Sequence, residues 1–155
     1  MKKFALLALL AFVAACGAPT APPAEQIVPT GALEVRGAWA AATPGGADVA
    51  AGYFTIANGT AADDRLIAVS SPRAASVTIH EMSMDGAIMR MRAVEGGLPI
   101  PAGQSVALDP GGYHLMFNGL AAPFAEGEDI QVTLTFEQAG AFDIFLPVRA
   151  GGVAH

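Results

Sequence analysis

From Leu33 onward the chain is cut by turn-forming residues about every ten positions, and this punctuation most limits what it can fold into. Leu33–Ala38 stops at Thr43-Pro44-Gly45-Gly46, and Val49–Asn58 stops at Asn58-Gly59. Arg65–Val69 ends at Ser71-Pro72. Ser76–Met82 is followed by Asp85-Gly86 and then by Ile88–Val94. Pro99-Ile100-Pro101 with Gly103 breaks the chain before Ser105–Leu108, and Pro110-Gly111-Gly112 precedes Tyr113–Phe117. Ile130–Phe136 alternates, with Ile130, Val132, Leu134 and Phe136 on one side, and Ala139-Gly140 turns into Phe142–Val148. No segment carries the i, i+3, i+4 apolar stripe of a helix. About nine short strands joined by tight turns predict a single all-β domain, an antiparallel β-sandwich. The sequon-like Asn58-Gly59-Thr60 is read as turn chemistry.

Upstream of that domain the composition changes. Lys2-Lys3 precedes an apolar run, Phe4 to Val13, that is too short to span a bilayer as a helix. Val13-Ala14-Ala15-Cys16 follows and resembles a bacterial lipobox, in which the cysteine is acylated and becomes the first mature residue. The expected organisation is a lipoprotein signal peptide at 1–15, a Pro/Ala-rich tether at 16–31, a folded domain at 32–151 and a short tail at 152–155. Cys16 is the only cysteine, so the domain has no disulfide, thiolate zinc site or iron–sulfur cluster. Cleavage removes both lysines and no acid, so the formal charge of −6 becomes −8. This balance argues against a nucleic-acid partner. It suits a periplasmic protein lipid-anchored to a bacterial membrane. Gly17 carries no inner-membrane retention acid, which favours the outer membrane.

Methionine and histidine are distributed unevenly. Beyond Met1, the methionines are Met82, Met84, Met89, Met91 and Met116, and His80 and His114 lie in the same stretch; only His155, where a frayed terminus is expected, lies elsewhere. With Asp85-Gly86 as a two-residue hairpin loop, His80 pairs with Met91, Met82 with Met89 and Met84 with Ala87. His80, Met82, Met89 and Met91 then share one face, and Ser83, Ile88 and a Glu81–Arg90 pair share the other. His114 and Met116, two apart on a strand, also share a face. Two imidazoles and two thioethers form a neutral, soft donor set. It suits Cu(I) and serves zinc, calcium or magnesium poorly. Met82, Met84 and Met89 read individually as packing or rim residues.

The same residues resemble the periplasmic PCu(A)C copper chaperones, whose motif is His, ten residues, Met, about twenty-one residues, then His-x-Met. Here residues 81–90 separate His80 from Met91, and residues 92–113 precede His114-Leu115-Met116, one more than the usual second gap. The optional Met after the first His is Glu81. Trp39, Ala50–Asn58, Asp64-Arg65-Leu66, Gly86–Arg92, Ile100-Pro101-Ala102-Gly103, Pro110–Met116, Asn118-Gly119-Leu120 and Phe136–Gly140 also look like the family pattern. The resemblance implies a cupredoxin-like Greek-key sandwich binding Cu(I) through His80, Met91, His114 and Met116. It further implies delivery to the CuA domain of cytochrome c oxidase subunit II, alongside Sco-type proteins.

Other functions fit less well. A scavenging or buffering copper lipoprotein would use the same residues. An electron-transfer cupredoxin needs a Cys thiolate ligand, which this domain lacks. For an enzyme, the chain offers no nucleophile elbow, no Gly-rich phosphate loop and no acid/base pair in a supporting motif; Asp63-Asp64 reads as a turn or strand-edge pair.

Overall fold

The computed structural model describes residues 33–150. The expected signal peptide, Cys16, the tether and His155 lie outside the described residues. All regular structure among the described residues is β-strand: β1 (Leu33–Ala41), β2 (Val49–Asn58), β3 (Asp64–Ser70), β4 (Ala74–Asp85), β5 (Ile88–Ala93), β6 (Leu98–Ile100), β7 (Ser105–Leu108), β8 (Tyr113–Leu120), β9 (Asp129–Phe136) and β10 (Gly140–Arg149). They hydrogen-bond in the order β5-β4-β8-β7-β2-β1-β10-β9-β3-β6, with β8 also pairing β2. The fold is a cupredoxin-like sandwich, in which β2 takes β8 as a neighbour rather than β3, a Greek-key crossing.

Alternation builds the core. Along β2 and β9 every second residue is buried, as a strand with one face toward the interior requires. Phe54 and Ile56 of β2, Leu115 and Phe117 of β8, Ile130, Val132, Leu134 and Phe136 of β9 and Ile144, Leu146 and Val148 of β10 fill one apolar cluster. The two ladders join at β1. Its register against β2 slips by one between Arg36 and Trp39, where Gly37 takes φ 62°. The bulge changes which parity points inward, from Leu33 and Val35 before it to Ala40 after it. Beyond the bulge Ala40 and Ala41 pair with Val148 and Arg149 of β10.

Two departures from the sequence reading stand out. The β1–β10 pairing is parallel, as is the short β7–β8 pairing, so the sandwich is not wholly antiparallel. No local pattern marks it, because it joins the first described strand to the last. A tenth strand, β6, lies inside the expected break at Pro99-Ile100-Pro101. It is an edge strand, and Pro99, opposite Arg65, is tolerated there because an edge position need not donate on its outer side.

Polar groups close the turns. Asn58 is buried, its amide donating to the Ala62 and Ile100 carbonyls while its oxygen accepts from Thr60, so the sequon-like triplet is a turn built on a buried side chain. Asp64, expected in a turn or at a strand edge, opens β3 and is buried. Its carboxylate accepts from the backbone N–H groups of Arg65, Gln138 and Ala139.

Candidate functional site

Three adjacent strands carry the candidate residues: β5, the sheet edge, holds Met91; β4 holds His80; β8 holds His114 and Met116. Along β8, Leu115 and Phe117 point into the core, so His114 and Met116 occupy the opposite face. Ile79 does the same for β4, which places Thr78, His80 and Met82 on that outer face.

The hairpin register differs from the one expected. The loop is Gly86-Ala87 rather than Asp85-Gly86, so Asp85 pairs with Ile88, Met84 with Met89, Ser83 with Arg90, Met82 with Met91, Glu81 with Arg92 and His80 with Ala93. Gly86 takes φ 65° at the first loop position, which suits a type II′ turn. Asp85, now inside the ladder, accepts from Arg90 Nε at 2.9 Å. Each partner has moved by two places, so every residue keeps its face. His80 therefore reaches Met91 along a diagonal, with Nδ1 3.0 Å from Sδ.

The other half of the site comes from long-range pairing. His80 lies directly opposite His114 across β4 and β8, their ring centroids 5.8 Å apart and edge-on at 76°. Thr78 is opposite Met116 on the next rung. The four residues are thus on one face of three neighbouring strands. The direct contact is between His80 and Met91, with His114 beside them; Met116 stands one rung away and has its backbone carbonyl held by Asn118.

Two residues that the sequence reading did not assign orient the imidazoles. The Thr78 hydroxyl donates to the Met116 carbonyl at 3.5 Å and receives the Asn118 amide. His80 Nε2 lies 3.2 Å from Oγ1 and Nδ1 lies 3.0 Å from the Met91 sulfur; the tautomer with its proton on Nε2 leaves the Nδ1 lone pair for a metal. His114 Nδ1 lies 3.3 Å from the Gly112 carbonyl; donation there leaves Nε2 as the free lone pair. Thr78 shares the face of His80 by simple alternation, so its position was legible; the Gly112 contact depends on how the turn before β8 closes.

Exposure grades across the site. His114 is only 4% exposed, because β8 has strands on both sides, whereas Met91 is 50% exposed on the edge strand. Burial, and secondarily the neighbouring His114, holds the His80 pKa below its ordinary 6.5. A lowered folded-state pKa means that the unfolded chain takes up the proton first as pH falls below 6.5. The stability of the metal-free protein should therefore drop as the pH falls from neutral through 6.5. His80→Gln should shrink that drop, as read from urea midpoints; an unchanged pH dependence in the variant would contradict the assignment.

Among the described residues no group of three or more His, Cys, Asp and Glu side chains could hold a metal ion. The donors that converge are imidazole and thioether.

A family model described as "Putative lipoprotein LpqE-like" matches residues 33–148. A protein of Leifsonia xyli subsp. xyli, "Putative lipoprotein Lxx21020", is 31% identical over 117 residues, spanning 76% of this chain and 69% of that protein. Among solved structures, the copper-bound PCuAC domain from PmoF2 is similar with a TM-score of 0.69 and 27% identity, over 81% of this chain and 99% of that one. The Cu(I) form of DR1885 from Deinococcus radiodurans is similar with a TM-score of 0.58 and 27% identity, over 81% and 82% of the two chains.

Proposed function

The chain belongs to the LpqE-like lipoprotein family and is a PCuAC-type domain, and on that premise we propose that it is a copper metallochaperone, taking one Cu(I) between His80, Met91, His114 and Met116 and handing it on. The observation that carries the reading is the diagonal approach of His80 Nδ1 to the Met91 sulfur, 3.0 Å, beside the His114 ring on the same face. Four neutral donors leave a monovalent ion as the natural cargo, since a divalent hard cation would gain no ligand charge and meet poor sulfur donors. Solved domains of similar fold, from PmoF2 and DR1885, are described as copper-bound, which supports copper as the cargo.

The grading of exposure gives delivery a direction. Met91, half-exposed on an edge strand, is the ligand that an incoming thiolate displaces first; His114, buried between strands, releases last. Cys16 supplies the lipid anchor that holds the domain at the periplasmic face of a bacterial membrane, with the outer membrane as our assignment. The acceptor is the CuA domain of cytochrome c oxidase subunit II, with Sco-type thiol proteins acting beside it.

The test is anaerobic transfer. Protein loaded with one Cu(I) is mixed with an equimolar apo CuA domain, and separately with a Sco-type protein, and copper is followed after separation. We expect the metal in the acceptor fraction. Retention by this protein in both mixtures would overturn delivery and leave a copper-buffering lipoprotein.

A further inference from the structure

The outer end of the β4–β5 hairpin holds three methionines that the four-ligand site does not use. Met84 is directly opposite Met89, and Met82 directly opposite Met91. These positions alternate with Glu81, Ser83, Arg90 and Arg92, so all four methionines lie on the face that carries His80. Packing does not account for them. Met84 is 63% exposed, Met89 61% and Met91 50%, and none belongs to the apolar core. Met82 is half-buried, and the other three thioethers stand in water while Leu, Ile, Val and Phe fill the interior.

Their chemistry points to a ligand. Opposed Cβ atoms in a strand pair lie about 5 Å apart, and methionine has three rotatable side-chain bonds, so facing sulfurs can turn toward a common point. Three thioethers are soft and uncharged and select a monovalent soft cation over Ca²⁺, Mg²⁺ or Zn²⁺. The carboxylate at the tip, Asp85, is taken by Arg90. That ion pair also ties the two strands together where the loop begins. Successive rungs on the same face are about 7 Å apart, and the thioethers therefore form a short ladder from the tip inward. Its inner rung, Met82–Met91, ends at a sulfur already 3.0 Å from His80 Nδ1.

We propose that Met82, Met84 and Met89 form a second Cu(I) site at the hairpin tip, which captures the ion and passes it by way of Met91 to the imidazoles. The capture site stands on the hairpin geometry alone; the transfer inward rests on the His80–Met91–His114–Met116 reading above. With no imidazole among its donors, the tip binds about a hundredfold or more weaker than the inner site. It fills second at equilibrium and first in time.

The experiment uses the mature protein with [¹³C-methyl]methionine, titrated anaerobically with Cu(I) and, in parallel, with redox-inert Ag(I). In the wild type the Met91 and Met116 methyl signals should move with the first equivalent, and those of Met84 and Met89 only with the second. In His114→Ala the first phase should vanish while the Met84 and Met89 shifts persist. In the Met84→Leu/Met89→Leu variant, which keeps apolar volume, the inner site should hold its affinity within twofold but load from a Cu(I) chelate about tenfold more slowly by stopped flow. Unmoved Met84 and Met89 methyls through three equivalents, with Met91 and Met116 saturated, would overturn the tip site and leave the inner site standing. Shifts at Met84 and Met89 with none at Met116 would keep the tip site and sink the inner one. An unchanged loading rate in the double variant would overturn the relay.

Discussion

Replacing His114 by alanine is expected to weaken Cu(I) binding about a thousandfold, or about 4 kcal/mol at about 1.4 kcal/mol per decade. The size of the effect follows from where this imidazole sits. It is one of only two nitrogen donors, it is 4% exposed, and its orientation is held by the Gly112 carbonyl. It lies directly opposite His80, so its loss removes the second imidazole from the site. Competition with a Cu(I) chelator of known affinity measures the loss. Because a buried residue is removed, Met91→Leu serves as the control for folding. It lies on the exposed edge strand and keeps apolar volume, and it should weaken binding strongly while leaving the urea midpoint close to wild type. Wild-type affinity in either variant would sink the ligand assignment.

Phe117→Ala is expected to cost about 3–5 kcal/mol of folding free energy, the range for deleting a fully buried aromatic ring. Phe117 is fully buried in β8 and packs edge-on against Phe124 with centroids 5.2 Å apart. Its ring also rests over Gly52 of β2, where an added Cβ would come within 2.9 Å of it and of Leu146 from the opposite ladder. The ring therefore fills the space where the two ladders meet, directly beneath the strand face that presents His114 and Met116. Against a total of about 5–15 kcal/mol for an ordinary domain, the loss is severe. It corresponds to a fall in Tm of about 10–20 °C by calorimetry. Cu(I) should recover part of the lost Tm in Phe117→Ala, since a ligand that binds the folded state stabilises it, and should recover little in His114→Ala. A loss below about 1 kcal/mol would mean that the ladders are not held together at this ring.

The strand runs were legible because alternation and turn residues are local properties. Val49–Asn58 and Ser105–Leu108 have in the structure the limits read from the sequence, each bounded by Gly or Pro. β6 escaped because Pro99 reads as a strand breaker, a rule that relaxes at an edge. The hairpin showed both the strength and the weakness of local reading. Asp85-Gly86 marked the turn, but the glycine went to the first loop position, and each cross-strand partner moved by two places. Side-chain parity survived such a shift, so His80, Met82, Met84, Met89 and Met91 keep a common face while His80 trades a directly opposite Met91 for a diagonal one.

By itself the sequence determined the donor inventory and its parity. The only cysteine is Cys16, every methionine beyond Met1 falls from Met82 to Met116, and strand alternation sets which of these residues share a face. Only the tertiary structure decided that β4 lies beside β8 with His80 directly opposite His114, that Thr78 and Gly112 hold the two rings, and that His114 is sunk while Met91 stands open. The reason is physical. Parity is a property of the backbone with a period of two and needs no partner, whereas the choice of neighbouring strand is made by burying Ile79, Leu115 and Phe117 in one core, a contact between segments that no local pattern joins.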